Sequence, residues 1–456
     1  MLHNSLLGKQ AVVLGGGIAG LLAARVLTEY FERVSLIERD RYPEDPIFRP
    51  GVPQAHHAHT LLLRGQQIIE ELFPGIEHEL MTRGAVQGDF INDYCIRFPS
   101  GWLHRLPSQI QISVVTRYLL EWQIRQALIK NPQIDIIDKH EVVDVIASED
   151  ATSITGVVLR ARPHSSPVEQ ALIRVAADLV VDATGRESKA PQWLKSLGYA
   201  PPPETVVNPF LGYASRLYAP PSASKQNWKG MVILSDPPRN LRGGVIWPIE
   251  NGHWMVSISG TGKDYPPTDE NAFLEFARSL SDPALFVAIK EAQPLTPIYG
   301  YRRTENRIRH FERLRQQPER FLVMRDAVCA FNPVYGQGMA VAALEAILLK
   351  KCLGQWSHRD LSGLARHFQR KLAHVSAGPW ALATSKDTRV PVVEGGSMKW
   401  TAKWQHSYFD RLFSLLPSDP SMAHQFVKVM HMVKSPITLF RPLIAFKVIF
   451  TIREVR

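Results

Sequence analysis

The chain has 456 residues, of which 45% are hydrophobic and 21% charged, and its formal net charge is +10. This length exceeds one ordinary hydrophobic core, so we expect two or three globular domains rather than a disordered or fibrous chain. Apart from an arginine-rich segment between residues 302 and 315, the basic residues are scattered, so the charge does not indicate a nucleic-acid-binding protein. An anionic lipid or an anionic small molecule accounts for the charge at least as well.

The three cysteines have no CxxC spacing, so the sequence predicts neither a disulfide framework nor a zinc site, and we expect a cytoplasmic, reducing environment. No signal peptide is predicted. The most apolar segment, residues 437–452, is interrupted by Arg441, Pro442 and Lys447 and is too short and too charged to cross a bilayer. We expect it to form a terminal helix packed on the body of the protein, with contact to a membrane surface as the alternative.

The first forty residues have the pattern of a βαβ unit. Residues 10–14 predict a buried strand, residues 21–30 an alanine- and leucine-rich helix, and residues 34–38 a second strand. Between the first strand and the helix lies the glycine-rich turn 15–20.

The spacing Gly15-x-Gly17-x-x-Gly20 is typical of a dinucleotide-binding turn. Gly15 permits the tight turn, Gly17 lets the backbone approach a pyrophosphate, and Gly20 lets the helix pack on the strand. Glu38 follows eighteen residues after Gly20, where a carboxylate accepts hydrogen bonds from an adenosine ribose. This motif alone does not distinguish FAD from NAD.

The rest of the chain alternates between helical and strand patterns, after a proline-rich segment at 41–55 that predicts an extended loop. The predicted helices are 60–73, 116–130, 271–280, 284–291 and 337–352. The predicted strands are 179–182, 211–218, 231–234, 244–248, 254–258 and 321–324, with further short strands between 130 and 181. We expect residues 356–456 to be mostly helical.

A second motif lies at the end of the last predicted strand. Asp326 follows that strand, and Asn332-Pro333-Val334-Tyr335-Gly336-Gln337-Gly338-Met339 leads from it into a helix. A carboxylate at a strand's carboxyl end can bind a sugar or ribitol hydroxyl, and the amides of Gly336–Met339 can face an anionic ring edge.

These motifs resemble those of FAD-dependent monooxygenases of the aromatic-hydroxylase and squalene-epoxidase type, in particular the bacterial branch with polyether-forming polyene epoxidases. The resemblance rests on the glycine turn with Glu38, on Asp182-Ala183-Thr184-Gly185-Arg186, and on Asp326 with the 332–339 segment. The loop Val52-Pro53-Gln54-Ala55-His56-His57-Ala58-His59 also resembles that branch, which tends to place Gln and His beside the flavin.

The resemblance implies that Asp326 holds the ribitol or ribose region of FAD, that Arg117 meets its phosphates, and that the Gly336–Met339 backbone faces the isoalloxazine ring. No catalytic side chain and no metal ligand is nominated. Together, the motifs and the resemblance nominate as cofactor-binding residues Gly15, Gly17, Ile18, Ala19, Gly20, Glu38, Arg39, Gln54, His57, Arg117, Asp182, Gly185, Asp326, Pro333, Gly336, Gln337, Gly338 and Met339.

Two features depart from a simple match. The family usually has a glycine directly before the aspartate, where this chain has Arg325, whose side chain would crowd the pyrophosphate or add a cation to it. The cluster His56-His57-x-His59 has a spacing that could ligate a metal, but no cysteine or carboxylate completes a ligand set.

The predicted fold class is α/β: a Rossmann-like FAD-binding domain of the glutathione-reductase type, an interleaved antiparallel-sheet substrate domain and a helical C-terminal region. Residues 1–80, 108–200 and 312–355 are expected to form the discontinuous FAD-binding domain. The substrate domain is expected at 81–107 and 201–311, and the helical region at 356–456.

The function implied by the resemblance is monooxygenation through a flavin C4a-hydroperoxide, with epoxidation or hydroxylation of a lipophilic terpenoid, polyene or polyketide of secondary metabolism. The expected partners are that substrate, O2, and NAD(P)H or a reductase as electron donor, since no second glycine fingerprint is present. The alternatives are a flavin-dependent reductase of prenyl chains, similar to geranylgeranyl reductases, and a flavin-binding protein without catalysis. Val245-Ile246-Trp247-Pro248-Ile249 does not reproduce the WxWxIP pattern of flavin-dependent halogenases.

Overall fold

A computed structural model of the chain describes residues 6–162, 171–221, 226–356, 361–396 and 400–450. Within these ranges the strands are, in chain order, β1 Gly8–Leu14, β2 Phe31–Ile37, β3 Val86–Asp89, β4 Tyr94–Phe98, β5 Gly101–Trp102, β6 Gln111–Val114, β7 Ile134–Ile137, β8 His140–Ala147, β9 Ile154–Ala161, β10 Leu172–Ala176, β11 Leu179–Asp182, β12 Glu204–Val207, β13 Gly212–Ala219, β14 Gly230–Ile233, β15 Arg242–Pro248, β16 Trp254–Gly260, β17 Gln293–Pro294, β18 Tyr299–Tyr301, β19 Asn306–Arg309, β20 Phe321–Val323 and β21 Cys329–Ala330.

The α-helices of the same ranges are α1 Ile18–Leu27, α2 Leu63–Leu72, α3 Ile76–Thr82, α4 Arg117–Ile129, α5 Ala190–Ser196, α6 Glu270–Arg278, α7 Ala284–Ile289, α8 Gly338–Gln355, α9 Leu364–Asp387, α10 Trp400–Leu415, α11 Pro420–Met430 and α12 Pro442–Phe450. Short 3-10 helices lie at Pro53–His56, Gly185–Glu187, Glu250–Gly252, Phe311–Arg313, Arg325–Ala327, Pro333–Tyr335 and Pro436–Phe440.

A five-stranded parallel sheet carries the predicted βαβ unit, with strand order β20-β11-β1-β2-β7. Its central strands are apolar and buried on both faces, as parallel strands covered by helices are. Helices α1 and α8 pack against each other in the hydrophobic core that they share with this sheet. The carboxyl ends of β1, β11 and β20 therefore meet at one edge, where the glycine turn, Asp182 and Asp326 follow them.

A second, eight-stranded sheet has the order β17-β13-β16-β15-β14-β4-β5, with β18 also paired to β13. It is antiparallel as predicted, except that β14 and β4 run parallel. One face packs on α6 and α7 through Phe273 and Leu285. On the other side Ile96, Phe98 and Trp247 share a hydrophobic cluster with residues of α10 and α11.

The predicted α/β class is confirmed, and so are most predicted elements. The first helix, predicted at 21–30, begins at Ile18, directly after the glycine turn, and ends at Leu27. The helix predicted at 60–73 begins only at Leu63. The loop predicted as extended at 41–55 ends in a 3-10 turn at Pro53–His56.

The apolar C-terminal segment is less packed than expected. Leu439 and Val448 are buried, but Ile437 and Leu443 are 77% and 78% exposed, and Phe446 and Phe450 are also exposed. Among the described residues, no helix is long and apolar enough to cross a membrane.

We propose that the chain divides into domains as the sequence predicts. Strands β4 and β5, within 81–107, join the large sheet, which supports assigning that segment to the substrate domain. Strand β6, at 111–114, pairs with β3, at 86–89. This pairing joins segments on the two sides of the proposed boundary at 108.

The close contact between α1 and the glycine turn gives a test of the fold. A Cβ added at Gly20 would lie 1.8 Å from the carbonyl oxygen of Gly15, whereas one added at Gly17 would meet only Glu121 Oε2, at 4.0 Å. We expect Gly20→Ala to lower the free energy of unfolding by about 3 kcal/mol, because α1 must move off β1. Gly17→Ala is the control and should keep the thermal midpoint of the FAD-free protein. Equal midpoints for Gly20→Ala and the wild type would contradict this packing.

Candidate functional site

A cavity of about 810 Å³ lies where the parallel sheet, the large sheet and the C-terminal helices meet. It begins at the glycine turn and continues between the large sheet and α10–α11. Of the nominated residues, the cavity wall contains Gly15, Gly17, Ile18, Ala19, Glu38, Arg39, Gln54, His57, Arg117, Gly185, Asp326, Pro333, Gly336, Gly338 and Met339. The structure thus brings together residues from distant parts of the chain.

Three nominated residues lie behind this wall and support it. Gly20 makes the close contact of α1 with the glycine turn. Asp182 is fully buried and accepts hydrogen bonds from Thr184 N–H, Thr184 Oγ1 and Ser188 Oγ, which fix the turn after β11. Gln337 is the N-cap residue of α8 and is buried.

The glycine turn leaves the amides that follow Gly16 open to the cavity. Gly15 has φ +91°, which favours glycine, and donates its N–H to Ile37 O at 2.8 Å. Gly17 is the N-cap of α1, and no side chain caps the helix there. The first N–H groups of α1 therefore face the cavity together with the positive end of the helix dipole, which suits a pyrophosphate.

Glu38 is buried beside this turn. Its Oε2 accepts the N–H of Gly16 at 2.8 Å, and its Oε1 accepts the N–H of Asp40 at 2.9 Å. Each carboxylate oxygen has two lone pairs, so Oε1 retains capacity for a ribose hydroxyl.

Arg49, which the sequence analysis missed, connects the proline-rich loop to this region. Its guanidinium lies 3.2 Å from Glu38, 3.0 Å from Asp40 and 2.8 Å from Glu121, with its side chain only 7% exposed. One buried cation thus holds three carboxylates around the glycine turn. These contacts join separate segments, so no local spacing in the sequence could have revealed them.

Arg117 is the first residue of α4 and enters the cavity wall beside Glu121, 3.6 Å away. Its Nε is buried without a hydrogen-bond partner among the described residues. Burial lowers the pKa of Arg117, although Glu121 and Asp326 raise it. A buried guanidinium with an unused donor fits an anionic group such as a phosphate.

Arg325 stands where the family that this sequence resembles usually has a glycine. The backbone conformation at this position explains why glycine is preferred there. Its φ is +56°, in the left-handed region that glycine adopts without strain. The side chain folds back on the protein: Nε donates to Gly338 O at 2.8 Å and Nη1 donates to Cys329 O at 2.7 Å. Nη1 also lies 2.7 Å from Asp326 Oδ1, so Arg325 partly neutralises Asp326.

The segment 332–338 is held from the C-terminal region. Asp387 of α9 accepts hydrogen bonds from Asn306 Nδ2 at 2.6 Å and from Asn332 Nδ2 at 3.0 Å, and Asn332 N–H donates to Asn306 Oδ1 at 2.7 Å. Burial raises the pKa of Asp387 to about 6. The next turn, with Gly336 at φ +63°, presents its backbone to the cavity.

His57 and His59 of the histidine cluster form hydrogen-bonding contacts within the protein. His57 Nδ1 lies 2.7 Å from Ser215 Oγ, which is 2.5 Å from Ser257 Oγ, and Ala58 N–H donates to Ser257 Oγ at 2.9 Å. Burial lowers the pKa of His57 to about 4, so the ring is neutral at pH 7. His59 Nδ1 lies 2.8 Å from His57 O.

His56 stacks between Phe48 and Tyr299. In the described ranges no group of three or more His, Cys, Asp or Glu side chains could hold a metal ion.

Comparison with known proteins agrees with this geometry. A protein-family model described as an FAD binding domain matches residues 9–360. The chain is 30% identical over 423 residues to Protein Rv3254 of Mycobacterium tuberculosis, which covers 92% of this chain and 88% of that one. It is 22% identical over 382 residues to kynurenine 3-monooxygenase of Salinispora tropica, covering 80% and 76% of the two chains.

Among solved structures, a triple mutant of the flavin-dependent brominase Bmp2 is similar with a TM-score of 0.66. The sequences are 14% identical, and the superposition covers 95% of this chain and 98% of the brominase. This similarity shows a shared fold.

Glu345 of α8 gives a pH-dependent test of the wall around Arg325. It is fully buried, its Oε2 accepts the N–H of Arg325 at 2.6 Å, and burial raises its pKa from 4.5 to about 7. The unfolded chain releases this proton near pH 4.5 and the folded protein near pH 7. Stability therefore falls by up to about 3 kcal/mol as the pH rises between these values.

Glu345→Gln keeps the acceptor and removes the ionisation, so its thermal midpoint relative to wild type should rise from pH 4.5 to 7 and then level off. The exposed Glu291→Gln is the control and should show a constant difference. A pH-independent difference for Glu345→Gln would contradict the raised pKa.

Proposed function

Because the chain belongs to the FAD binding domain family, we propose that its large cavity binds FAD and that the protein is an FAD-dependent monooxygenase acting on a lipophilic substrate. The observation that carries the proposal is the continuity of the cavity, from the glycine turn past Gly336–Met339 to an apolar region lined by Phe98, Trp247 and Phe426. A cofactor and an apolar substrate can therefore meet inside one continuous cavity.

In this proposal, Glu38 binds the adenosine ribose, and the amides of Gly17, Ile18 and Ala19 with Arg117 bind the pyrophosphate. Arg39, Gln54, Gly185 and Pro333 complete the contacts to FAD along the cavity wall, and Asp326 binds the ribitol. The amides of Gly336–Met339 face the ring edge that becomes anionic on reduction. The chemistry that FAD supplies when bound and reduced is the activation of O2 for transfer of one oxygen atom.

The chain's own contribution is to bind, to orient and to exclude water. His57 is held by Ser215, and its neutral ring carries one proton, on Nδ1 or on Nε2. If Ser215 donates to Nδ1, the proton lies on Nε2 and His57 donates from that nitrogen. Epoxidation requires no protein base, and we assign none.

We propose epoxidation or hydroxylation of a terpenoid, polyene or polyketide in secondary metabolism, by the resemblance of residues 52–59 and 326–339 to those epoxidases. The electrons come from NAD(P)H acting directly on the flavin or from a reductase. Two alternatives are a prenyl-chain reductase and a non-catalytic flavin-binding protein. Arg325 motivates the second, because it pairs with Asp326 at the cofactor wall.

Product analysis with and without oxygen separates these functions. We expect purified protein with FAD, NAD(P)H, an added flavin reductase and a panel of polyenes to add one oxygen atom per product in air, with the atom labelled when 18O2 is supplied. Products two hydrogens heavier under anaerobic conditions would instead identify a reductase. Turnover restored only by Arg325→Gly would identify the natural chain as non-catalytic, and FAD-bound protein that never oxygenates a substrate would overturn the proposal.

We also propose that the exposed apolar surface formed by Ile437, Phe440, Leu443, Phe446 and Phe450 contacts a membrane, since exposed apolar patches of this kind mark interaction surfaces. The exposed Arg441 flanks it and suits anionic headgroups, whereas Lys447 on the same helix is paired with Asp419.

Co-sedimentation with vesicles containing phosphatidylserine should be lost in Leu443→Glu/Phe446→Glu and retained in Val287→Glu, a change of a similarly exposed residue on α7. Equal sedimentation of both variants would contradict membrane contact by this surface.

A further inference from the structure

One end of the cavity contains a lysine whose ammonium group forms no direct ion pair within the described ranges. Lys386 lies in the last turn of α9, and its Nζ donates to the carbonyl oxygen of Ser235 at 2.6 Å. An ammonium group has three N–H donors, and no other acceptor for this one is found among the described residues. No ion pair joins Lys386 to a carboxylate in the same ranges.

The neighbouring charges are already paired. Arg389 forms a bidentate ion pair with Asp410, at 2.5 Å and 3.0 Å, and Asp236 lies 2.7 Å from Arg239. Asp387, the residue after Lys386, is used by the amides of Asn306 and Asn332. Of Arg239, Lys386 and Arg389 at this end of the cavity, Lys386 is therefore the one without an ion pair to a carboxylate within the described chain.

The protein shields this partly exposed charge from water, which is unfavourable without an acceptor. Burial lowers the pKa of Lys386 from 10.5 to about 8, so the ammonium is still mostly charged at pH 7. Asp236, Asp387 and Asp410 offset part of this effect from a distance, so an anionic ligand in direct contact would complete the site.

A histidine beside it has a second unused polar atom. His406 of α10 belongs to the same cavity wall, and its Nε2 is buried without a hydrogen-bond partner in the described part of the chain. Burial and then Arg389 lower its pKa, whereas its hydrogen bond to the backbone of Ser385 raises it. That bond uses the one N–H of the neutral ring, so Nε2 is an acceptor and the binding of an anion is left to Lys386.

An apolar surface leads away from this polar end. His406, Phe409 and Phe413 are spaced three and four residues apart on α10, which places them on one helix face, and all three line the cavity. The ring of Phe413 lies 5.3 Å from that of Phe426 on α11, which also lines it. A ligand that fits both parts is an apolar chain that ends in an anionic oxygen group.

We propose that Lys386 binds a carboxylate of the lipophilic substrate, whose apolar chain lies along Phe409, Phe413 and Phe426. This inference rests on the proposed function in that it names the class of substrate for the same cavity: long-chain carboxylic acids rather than neutral hydrocarbons. Lys386 acts in it as a specificity-determining residue and takes no part in oxygen transfer.

The test is calorimetric binding of oleate, methyl oleate and oleyl alcohol to the purified full-length protein. The three probes share one chain and differ only in the terminal group. We expect oleate to bind about tenfold or more tightly than the ester and the alcohol, because a hydrogen-bonded charge pair is the difference between them. Lys386→Met should remove that preference while leaving the affinity for methyl oleate unchanged.

Lys434→Met is the matched control, since Lys434 bonds Gln425 outside the cavity wall and should keep the preference for oleate. Lys386→Gln is the second variant, in case the methionine variant does not fold. Equal affinities for all three probes, no binding of any of them, or a preference that survives in the folded Lys386 variants would overturn the inference. Because calorimetry needs no turnover, a preference for oleate in a protein that never oxygenates a substrate would reject the monooxygenase and keep the carboxylate site.

Discussion

The close contact between Gly20 and Gly15 determines how the first helix packs and where its N-terminus lies. Because neither residue has a Cβ, α1 packs directly on the turn that follows β1, and its N-terminus points at the cavity. The same turn is held from the other side by Glu38, and Glu38 in turn by Arg49. The N-terminal end of α1 is therefore fixed by backbone contact and by one buried charge cluster, and the rest of the cavity is arranged around it.

The C-terminal region completes the site as well as covering it. Asp387 of α9 holds Asn332, and so it sets the position of the backbone turn that follows β21. The preceding residue, Lys386, lies in the cavity wall. Helices α10 and α11 supply the apolar surface of the cavity. A single helix end thus connects the proposed flavin contact to the proposed substrate contact. Changes in this region are expected to affect both cofactor and substrate binding.

The parts of the fold that the sequence predicted correctly are those with a local signal. The glycine turn, Glu38 and the strands around them lie within thirty residues and follow fixed spacings. The strand before Asp326 is a continuous apolar run, and the helix from Gly338 is rich in Ala and Leu. The cofactor-site nominations for Asp326 and Gly336–Met339 came from resemblance, and they stay predictions until FAD binding is measured.

The residues that the sequence did not reveal depend on contacts between distant segments. Arg49 meets Glu121 across 72 positions, and Asn332 meets Asp387 across 55. No periodicity predicts such pairs, because each residue is an ordinary polar residue within its own segment. The left-handed backbone at Arg325 was also hidden, since the sequence shows only that an arginine stands where the resembling family has glycine. The exposure of Leu443 and Phe446 was missed because an apolar run by itself suggests a buried helix face.

The most direct test of the central claim is titration of FAD-free protein with FAD, for the wild type and for Gly17→Ala. The Cβ added at Gly17 has room in the folded chain but enters the space where the pyrophosphate would approach the backbone. We expect the wild type to bind FAD, with bound-flavin absorption near about 380 and 450 nm, and Gly17→Ala to bind it at least about tenfold more weakly. A wild type that stays colourless, or a variant with unchanged affinity, would contradict the claim that this turn is the cofactor site.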